Sequence, residues 1–443
     1  MPGQITFIDM SAAWRRFLLV VPLVAALAGA WVGLRWCIAN TMAEFAPDVT
    51  TAEAAARLAP SDPQTHLRLA RYKRTSFLPQ DRPEALAHYR EAARLAPNDY
   101  LLWTEYGRAL WEAGESEESL RVLGRAVELA PNYAWPRWHL GNTLLREGRF
   151  EEAFAELRRA ADADPSLRPQ VFNMAWQVSG GELQRVTAIV GNTPTMRAQL
   201  TQYLIGAKLL DDASAAWAGL STEDKRAQVE TGRLLVRALF EAKRYREALS
   251  AQRELKEAGA PSASPEKIFN GGFEAEIPPL GADFFDWQVS PVVPASFAQI
   301  AIDPRGGHQG RALRITFNAT ASFDFRNVSQ LVVVEPHARY RLSFYVRGEN
   351  LKSASTLLVE VADAAAGEVS RQTLASSAPV SPETSAWQQV TVEFTTPQTQ
   401  AVIIRLARAV CPDPQCPIFG KVWYDDFDLQ RLSGGQPAGA RRN

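Results

Sequence analysis

The residues of this chain that could do chemistry are few and mostly scattered. Cys411 and Cys416 form a tight pair, separated only by Pro-Asp-Pro-Gln. A zinc site would need further ligands, and the nearest histidines, His308 and His337, do not have metal-ligand spacing. The cysteine pair therefore predicts a disulfide, which persists only in an oxidising compartment.

Asp425 and Asp426 are adjacent carboxylates in a predicted strand near the C-terminus. Neighbouring strand residues point to opposite faces, so this pair cannot flank a scissile glycosidic bond as a glycosidase requires. The sequence also lacks a nucleophile elbow, a phosphate loop, a dinucleotide fingerprint and a metal-binding helix motif. We expect no catalytic residue and a binding function. An enzyme with an unrecognised site is the less favoured alternative.

An uncharged run of eighteen residues, Phe17 to Leu34, lies near the N-terminus. As a helix it spans about 27 Å, close to the roughly 30 Å thickness of the hydrocarbon core. Arg15 and Arg16 precede it and a single arginine follows, which places the N-terminus in the cytoplasm by the positive-inside rule. We expect a retained single-span anchor. The alternative is a signal peptide cleaved near Thr41-Met42-Ala43.

A 34-residue period runs from residue 83 to residue 165. Pro97, Pro131 and Pro165 fall at this interval, and alanines, leucines and glycines repeat in other registers. Small residues at fixed positions let paired helices approach closely, and each proline ends a helix. The pattern resembles the tetratricopeptide repeat. This resemblance implies an α-solenoid of stacked helical hairpins, with a concave surface that holds a protein partner.

The resemblance also implies which side chains face the concave surface. Tryptophan and arginine are typical of interface hot spots, and Asn142 matches a position that often holds the ligand backbone in this family. The alternative is that Trp135 and Trp138 only pack the hairpin. The predicted protein-binding groove consists of Arg108, Trp111, Trp135, Trp138, Asn142 and Arg146.

A glycine-, proline- and serine-rich segment at 259–265 separates the helical region from runs of alternating residues. These runs, such as Tyr340–Arg347, are separated by turn residues and predict an antiparallel β-sandwich. The opening Asn270-Gly-Gly-Phe-Glu274 and the late Gly420-Lys-Val-Trp-Tyr-Asp-Asp-Phe427 resemble the jelly-roll, galactose-binding-like carbohydrate-binding modules of many glycan-active proteins.

This second resemblance implies two sites. Members of the family often hold a structural calcium ion, and the matching residues are Glu274, Asp425 and Asp426. The alternative is that the aspartates are edge-strand charges; no other cofactor is expected. Sugar binding by stacked aromatics and polar side chains would fall on one strand, although its two phenylalanines fit a buried face equally well. The carbohydrate-binding candidates are Phe323, Phe325, Arg326, Asn327 and Gln330.

We therefore predict a multidomain chain that is first α and then β. Its parts are a cytoplasmic N-terminus (1–14), a transmembrane helix (15–38), a tetratricopeptide-like α-solenoid (48–258), a linker (259–265), a carbohydrate-binding-module-like jelly-roll sandwich (266–431) and a disordered tail (432–443).

The predicted function is that of a scaffold in the bacterial inner membrane, with one span and its bulk in the periplasm. Its groove would hold an envelope or polysaccharide-assembly protein and its sandwich would contact polysaccharide. The combination of domains resembles proteins of exopolysaccharide or O-antigen assembly and export. The alternative is a pure protein-interaction scaffold that binds no glycan. A formal net charge of -1 argues against nucleic acid as a partner.

Overall fold

The computed structural model describes residues 13–257, 259–278, 283–365, 372–382, 386–411 and 415–432. The predicted N-terminal and C-terminal tails lie almost entirely outside these residues. The chain divides into two compact units, Met1–Asn192 and Thr193–Asn443.

The first unit is built from antiparallel helical hairpins, which confirms the predicted α-solenoid. Its helices are α1 (Ala13–Glu44), α2 (Val49–Leu58), α3 (Pro63–Arg74), α4 (Asp81–Leu95), α5 (Tyr100–Glu112), α6 (Ser116–Leu129), α7 (Ala134–Arg146), α8 (Phe150–Ala163), α9 (Arg168–Val178) and α10 (Leu183–Val190). Aspartates begin several of them: the Asp99 carboxylate accepts hydrogen bonds from the first free N–H groups of α5.

The repeated glycines of the 34-residue period are explained by close helix packing. A Cβ atom at Gly107 would lie 2.5 Å from Cγ of Leu123, and one at Gly141 would lie 2.7 Å from Cγ of Leu157. These glycines therefore let α5 approach α6 and α7 approach α8. The Ser119 hydroxyl donates a 2.7 Å hydrogen bond to the Gly107 carbonyl and ties the first of these hairpins together.

Helix α1 has two different halves. Within the described residues it is the helix long and apolar enough to cross a membrane, over Val20–Glu44, which suits an anchor or a signal sequence. Its C-terminal end packs on α2 and α3, where Ala39 and Ala43 are buried. Asn40 Nδ2 donates a 3.1 Å hydrogen bond to the Asp62 carboxylate. The apolar helix thus continues without a break into the first helical layer of the solenoid.

Among its described residues, the second unit has five helices followed by a β-sandwich. The helices are α11 (Pro194–Gly206), α12 (Leu210–Ala218), α13 (Thr222–Ala227), α14 (Val229–Glu241) and α15 (Tyr245–Leu255). The strands are β1 (Gln288–Val289), β2 (Ala298–Asp303), β3 (Ala312–Ala319), β4 (Val328–Val333), β5 (Arg339–Lys352), β6 (Leu357–Asp363), β7 (Thr373–Ser376), β8 (Gln388–Thr395), β9 (Ala401–Arg408) and β10 (Ile418–Arg431).

The strands form two five-stranded sheets, which confirms the predicted sandwich. Sheet A has the order β1-β4-β9-β6-β7 and sheet B the order β2-β3-β10-β5-β8, and their paired strands are antiparallel. The inward residues of both sheets form one core around large fully buried rings, including those of Trp287, Phe344 and Tyr424. The outward residues alternate with them along each strand.

The last two helices pack directly on the sandwich. The buried Tyr245 hydroxyl donates a 3.1 Å hydrogen bond to the Ala364 carbonyl, and the Phe240 ring stacks on Phe284 with centroids 4.5 Å apart. The segment predicted as a linker also runs within this unit, since Ala263 is buried. The helical part of the second unit therefore contributes to the packing around the sandwich.

Candidate functional site

The six predicted groove residues all lie on α5 and α7, the first helices of two successive repeats. Two cation–aromatic pairs join these helices. The Arg146 guanidinium carbon lies 3.9 Å from the centroid of the Trp111 ring, and that of Arg108 lies 5.8 Å from the Trp135 ring. Such pairs contribute about 0.5–1 kcal/mol each at exposed positions. Trp135 is 47% exposed, so its ring is available to a ligand.

The remaining two groove residues are on α7. Trp138 is half-buried, and its backbone carbonyl accepts a 2.8 Å hydrogen bond from Asn142 Nδ2. His139 lies on the same helix, where its ring meets the Trp135 ring edge-on at 4.3 Å. Burial, with a smaller effect of the Arg108 charge, lowers the pKa of His139 to about 4. This histidine is therefore neutral at physiological pH.

Arginine–glutamate pairs connect α3 to α5, and they were not predicted from the sequence. Arg71 Nε on α3 donates a 2.8 Å hydrogen bond to the Glu105 carboxylate on α5. Arg74 pairs with Glu112 at 3.0 Å across the same two helices. The spacing of 34 between Arg71 and Glu105 was a usable signal, because equivalent positions of successive repeats are neighbours. Glutamates thus neutralise Arg71 and Arg74 of α3, whereas the arginines of the groove stack on tryptophan.

The predicted carbohydrate-binding residues do not form one surface, which corrects that assignment. Phe325 is 0% exposed in the sandwich core, and Phe323 packs against it. Gln330 is 1% exposed and its amide exchanges hydrogen bonds with the Phe269 backbone. Asn327 Nδ2 donates a 2.8 Å hydrogen bond to the Pro291 carbonyl, and Arg326 pairs with an aspartate. The single strand expected for these residues is also wrong. β4 begins at Val328, so four of the five candidates lie in the segment before it and only Gln330 lies on the strand.

The outer face of sheet A carries a polar cluster instead. Antiparallel pairing places Ser329 and Glu360 on either side of Arg405. Arg405 Nε donates a 2.6 Å hydrogen bond to Glu360, which also accepts one from Thr373. Burial opposes ionisation of Glu360, but these bonds outweigh it and lower the pKa of the carboxyl. We call Ser329, Glu360, Thr373 and Arg405 the sheet-A face.

The Arg405 guanidinium on the sheet-A face has unused hydrogen-bonding capacity. Among the residues that the structure describes, no partner contacts its buried Nη2 atom. Apolar side chains flank the charged pair, with Leu358 on β6 and Ile403 on β9 also directed outward. A face that combines an ion pair, hydroxyls and apolar flanks offers the groups that recognise a sugar: donors for its hydroxyls and apolar surface for its C–H groups.

The three predicted calcium ligands lie near one another around Gly272. The expectation that Asp425 and Asp426 face opposite ways is wrong, because a bulge in β10 brings both carboxylates to His308. A Cβ at Gly272 would be 3.5 Å from Asp426 Oδ1 and 3.8 Å from Asp425 Oδ1. The carboxylates accept hydrogen bonds instead: Asp425 from the His308 N–H at 2.7 Å and Glu274 from a backbone N–H at 3.1 Å. Within the described ranges, no group of three or more acidic, histidine or cysteine side chains is arranged to hold a metal ion. Calcium binding stays a prediction.

The cysteine pair forms the predicted disulfide, Cys411–Cys416. Next to it lies Arg408, which is almost fully buried and whose pKa is lowered by desolvation. Its guanidinium donates hydrogen bonds to the carbonyls of Cys416 at 2.7 Å and Ser355 at 3.1 Å. A buried arginine therefore fixes one end of the disulfide loop. The loop residues 412–414 lie outside the described part of the chain.

Comparison with known proteins agrees with these two folds. The profile of the family described as "Tetratricopeptide repeat" matches residues 80–134 and 107–167, and that of the family described as "Carbohydrate binding domain" matches residues 265–411. No curated protein matches the chain significantly.

Several solved structures are similar to parts of the chain. One is "MamA 41-end from Desulfovibrio magneticus RS-1", 17% identical, covering 36% of this chain and 92% of its own, with a TM-score of 0.30. A second, titled "CBM4 structure and function", is 15% identical and covers 37% and 99%, with a TM-score of 0.28.

A third similar structure is YrrB, described as a TPR protein with an unusual peptide-binding site. It is 18% identical and covers 38% of this chain and 90% of its own, with a TM-score of 0.21. Likenesses with such TM-scores carry no functional argument. The family profiles and the observed folds agree on tetratricopeptide repeats in the helical region and a sandwich similar to a carbohydrate-binding domain in the C-terminal part.

Proposed function

We propose that this protein is a non-catalytic scaffold of the bacterial envelope whose groove on α5 and α7 holds a protein partner. The observation that carries the proposal is the two arginine–tryptophan pairs, Arg146–Trp111 and Arg108–Trp135. Within the described part of the chain neither guanidinium has an acidic partner. A segment that brings acidic and apolar side chains would pair with the arginines and pack on the rings.

Co-purification of the full chain from membranes tests the groove. We expect a Trp111→Ala/Trp135→Ala double variant to lose its partner, since truncating a hot-spot tryptophan typically costs 2 kcal/mol or more, about thirtyfold in affinity. Phe150→Ala is the matched control, because Phe150 is also 47% exposed but lies on α8. Equal recovery of the partner with the double variant and the wild type would refute the groove assignment.

We also propose that the sandwich contacts polysaccharide through the sheet-A face, as part of exopolysaccharide or O-antigen assembly or export. The support is the charged pair Arg405–Glu360 with the Thr373 hydroxyl and the apolar flanks beside it. This assignment replaces the earlier candidates with Arg405 and Glu360, whose side chains are 14% and 13% exposed on the outer face of sheet A. The glycan would be an extended polysaccharide whose hydroxyl groups contact this face, and it would not enter a deep pocket.

Affinity electrophoresis of the full chain in gels containing the host's envelope polysaccharides tests this second surface. We expect one polysaccharide to retard the wild type, and Arg405→Gln to abolish the retardation. Arg341→Gln is the control, because Arg341 lies exposed on sheet B and pairs with Glu393. If no polysaccharide retards the wild type, the alternative of a pure protein-interaction scaffold is favoured.

We further propose that α1 is retained as the membrane anchor, with its N-terminus in the cytoplasm and the bulk of the chain in the periplasm. The support is the buried C-terminal end of α1: cleavage after Ala43 would remove Ala39 and Ala43 from the surfaces of α2 and α3 that they cover. The intact mass of the protein extracted from membranes tests this. A mature chain that begins at residue 44 would contradict retention.

Finally, we propose that the chain does not catalyse a reaction. The support is the pair of matched families, one described as a tetratricopeptide repeat and the other as a carbohydrate binding domain. Incubating the purified full chain with envelope polysaccharides and analysing their size tests this proposal. The proposal would be overturned if the native protein shortened a polysaccharide more than the heat-inactivated protein does.

A further inference from the structure

A cavity of about 460 Å³ lies between α14, α15 and the segment that precedes β1, all within the second unit. This volume falls in the range of roughly 300–1,000 Å³ that is usual for small-molecule sites. Its apolar wall includes Val236, Leu255 and Phe284. The Phe284 ring is held in place because its other face stacks on Phe240.

A buried amide also lines this cavity. Gln252 on α15 is only 6% exposed, and together with Leu255 it forms part of the cavity wall. Gln252 and Leu255 are three residues apart and therefore lie on the same face of α15. The amide is in position to exchange hydrogen bonds with a ligand.

The charged side chains at the cavity leave one cation without a counter-charge. Lys256 forms an ion pair with Asp283, and Arg233 forms one with Glu230 at 2.8 Å. Arg237, one residue after the apolar Val236, has no acidic partner anywhere in the part of the chain that the structure describes. A planar guanidinium of this kind is well suited to a carboxylate, which it can bind through two parallel hydrogen bonds.

We propose that this cavity binds an acidic saccharide, with a carboxylate-bearing sugar ring as the recognised unit. The C–H face of the ring would lie against Phe284 and Leu255, since aromatic and aliphatic surfaces pack well on the apolar face of a sugar. The ring hydroxyls would exchange hydrogen bonds with the Gln252 amide, which offers both donors and an acceptor. The carboxylate would pair with Arg237.

The site is separate from the groove on α5 and α7 and from the sheet-A face, and it goes beyond the function proposed for them. None of its lining residues is part of either surface. A failure of saccharide binding here would leave the partner and polysaccharide predictions standing, and their failure would leave this one standing.

Ligand-observed NMR titration of the full chain in nanodiscs tests the proposal, with sodium D-glucuronate as the probe and D-glucose as its uncharged counterpart. We expect glucuronate to bind at least about tenfold more tightly than glucose, as a charge-assisted hydrogen bond to the carboxylate would produce. Arg237→Gln and Gln252→Met should each weaken glucuronate binding about tenfold. Arg253→Gln is the matched control, because Arg253 is exposed, lies beside Gln252 on α15 and does not line the cavity.

Three outcomes would overturn the proposal: no glucuronate binding by the wild type, equal binding of glucose and glucuronate, or wild-type affinity in both variants. Gln252→Met keeps the side-chain volume, and its thermal unfolding is compared with that of the wild type. If this variant unfolds early, the exposed Arg237→Gln variant decides the result, because removing a surface charge leaves the packing of α14 unchanged.

Discussion

His139 gives the groove helix α7 a predicted sensitivity to acid. Its Nε2 atom is buried, and no partner for it is found among the described residues. The ring touches Trp135, and burial together with the nearby Arg108 charge lowers the pKa of His139 from 6.5 to about 4. A proton added to this ring would have no acceptor and would face a second positive charge.

The loss of stability in acid follows in sign and size from the two pKa values of His139, 6.5 in the unfolded chain and about 4 in the folded chain. Between pH 6.5 and about 4, His139 is protonated in the unfolded chain but not in the folded chain. The contribution of His139 to stability is therefore present above pH 6.5 and is lost as the pH falls towards 4. The full difference corresponds to a ceiling of about 3 kcal/mol. Because the ring is partly exposed and solvent screens its charge, we expect about 1–2 kcal/mol.

Hydrogen exchange of α7 peptides at pH 7.5 and pH 4.5, corrected for the intrinsic exchange rate, measures this loss. We expect protection in the wild type to fall about five- to thirtyfold, and His139→Gln to remove most of that fall. His337→Gln is the control, since His337 is an exposed turn residue of the second unit. The reasoning is refuted if the wild type and His139→Gln lose protection equally.

Four further substitutions test the packing. Gly141→Ala places a Cβ 2.7 Å from Leu157 and should destabilise the solenoid by about 1–3 kcal/mol, whereas Gly124→Ala meets nothing within 4 Å and should stabilise it slightly; thermal unfolding distinguishes the two. Arg408→Met leaves buried carbonyls without donors and should cost about 2–3 kcal/mol, measured by denaturant unfolding of the second unit. Tyr245→Phe removes one buried hydrogen bond and should raise hydrogen exchange in α15 by about fivefold.

The helical repeat could be predicted from the sequence because the same packing constraint recurs within each hairpin. Gly107 and Gly141 recur at the same point of each hairpin, where helix approach forbids a Cβ. The same register placed Trp111 and Trp135 on successive first helices. The sequence could not show that Arg146 and Arg108 would stack on these rings, because that depends on the separation and rotation of neighbouring helices.

The sandwich was predictable as a fold but not as a site. Alternation along a strand reveals two faces without saying which one is buried. The sequence also did not show that Phe325 precedes β4, and both Phe325 and Gln330 are buried. Arg405 and Glu360 are 45 positions apart, and only the pairing of β9 with β6 brings them together. The Gln252 cavity likewise depends on tertiary packing, since it needs α14, α15 and a loop from the sandwich.

Site-specific photocrosslinking in living cells tests the central claim, that the groove on α5 and α7 holds a protein partner. A benzoylphenylalanine would replace Leu145, which is partly exposed on α7 between the groove residues Asn142 and Arg146, or Phe150 outside the groove. We expect a discrete crosslinked protein from position 145 and none from position 150. Crosslinks of equal yield from both positions, or none from position 145, would contradict the claim.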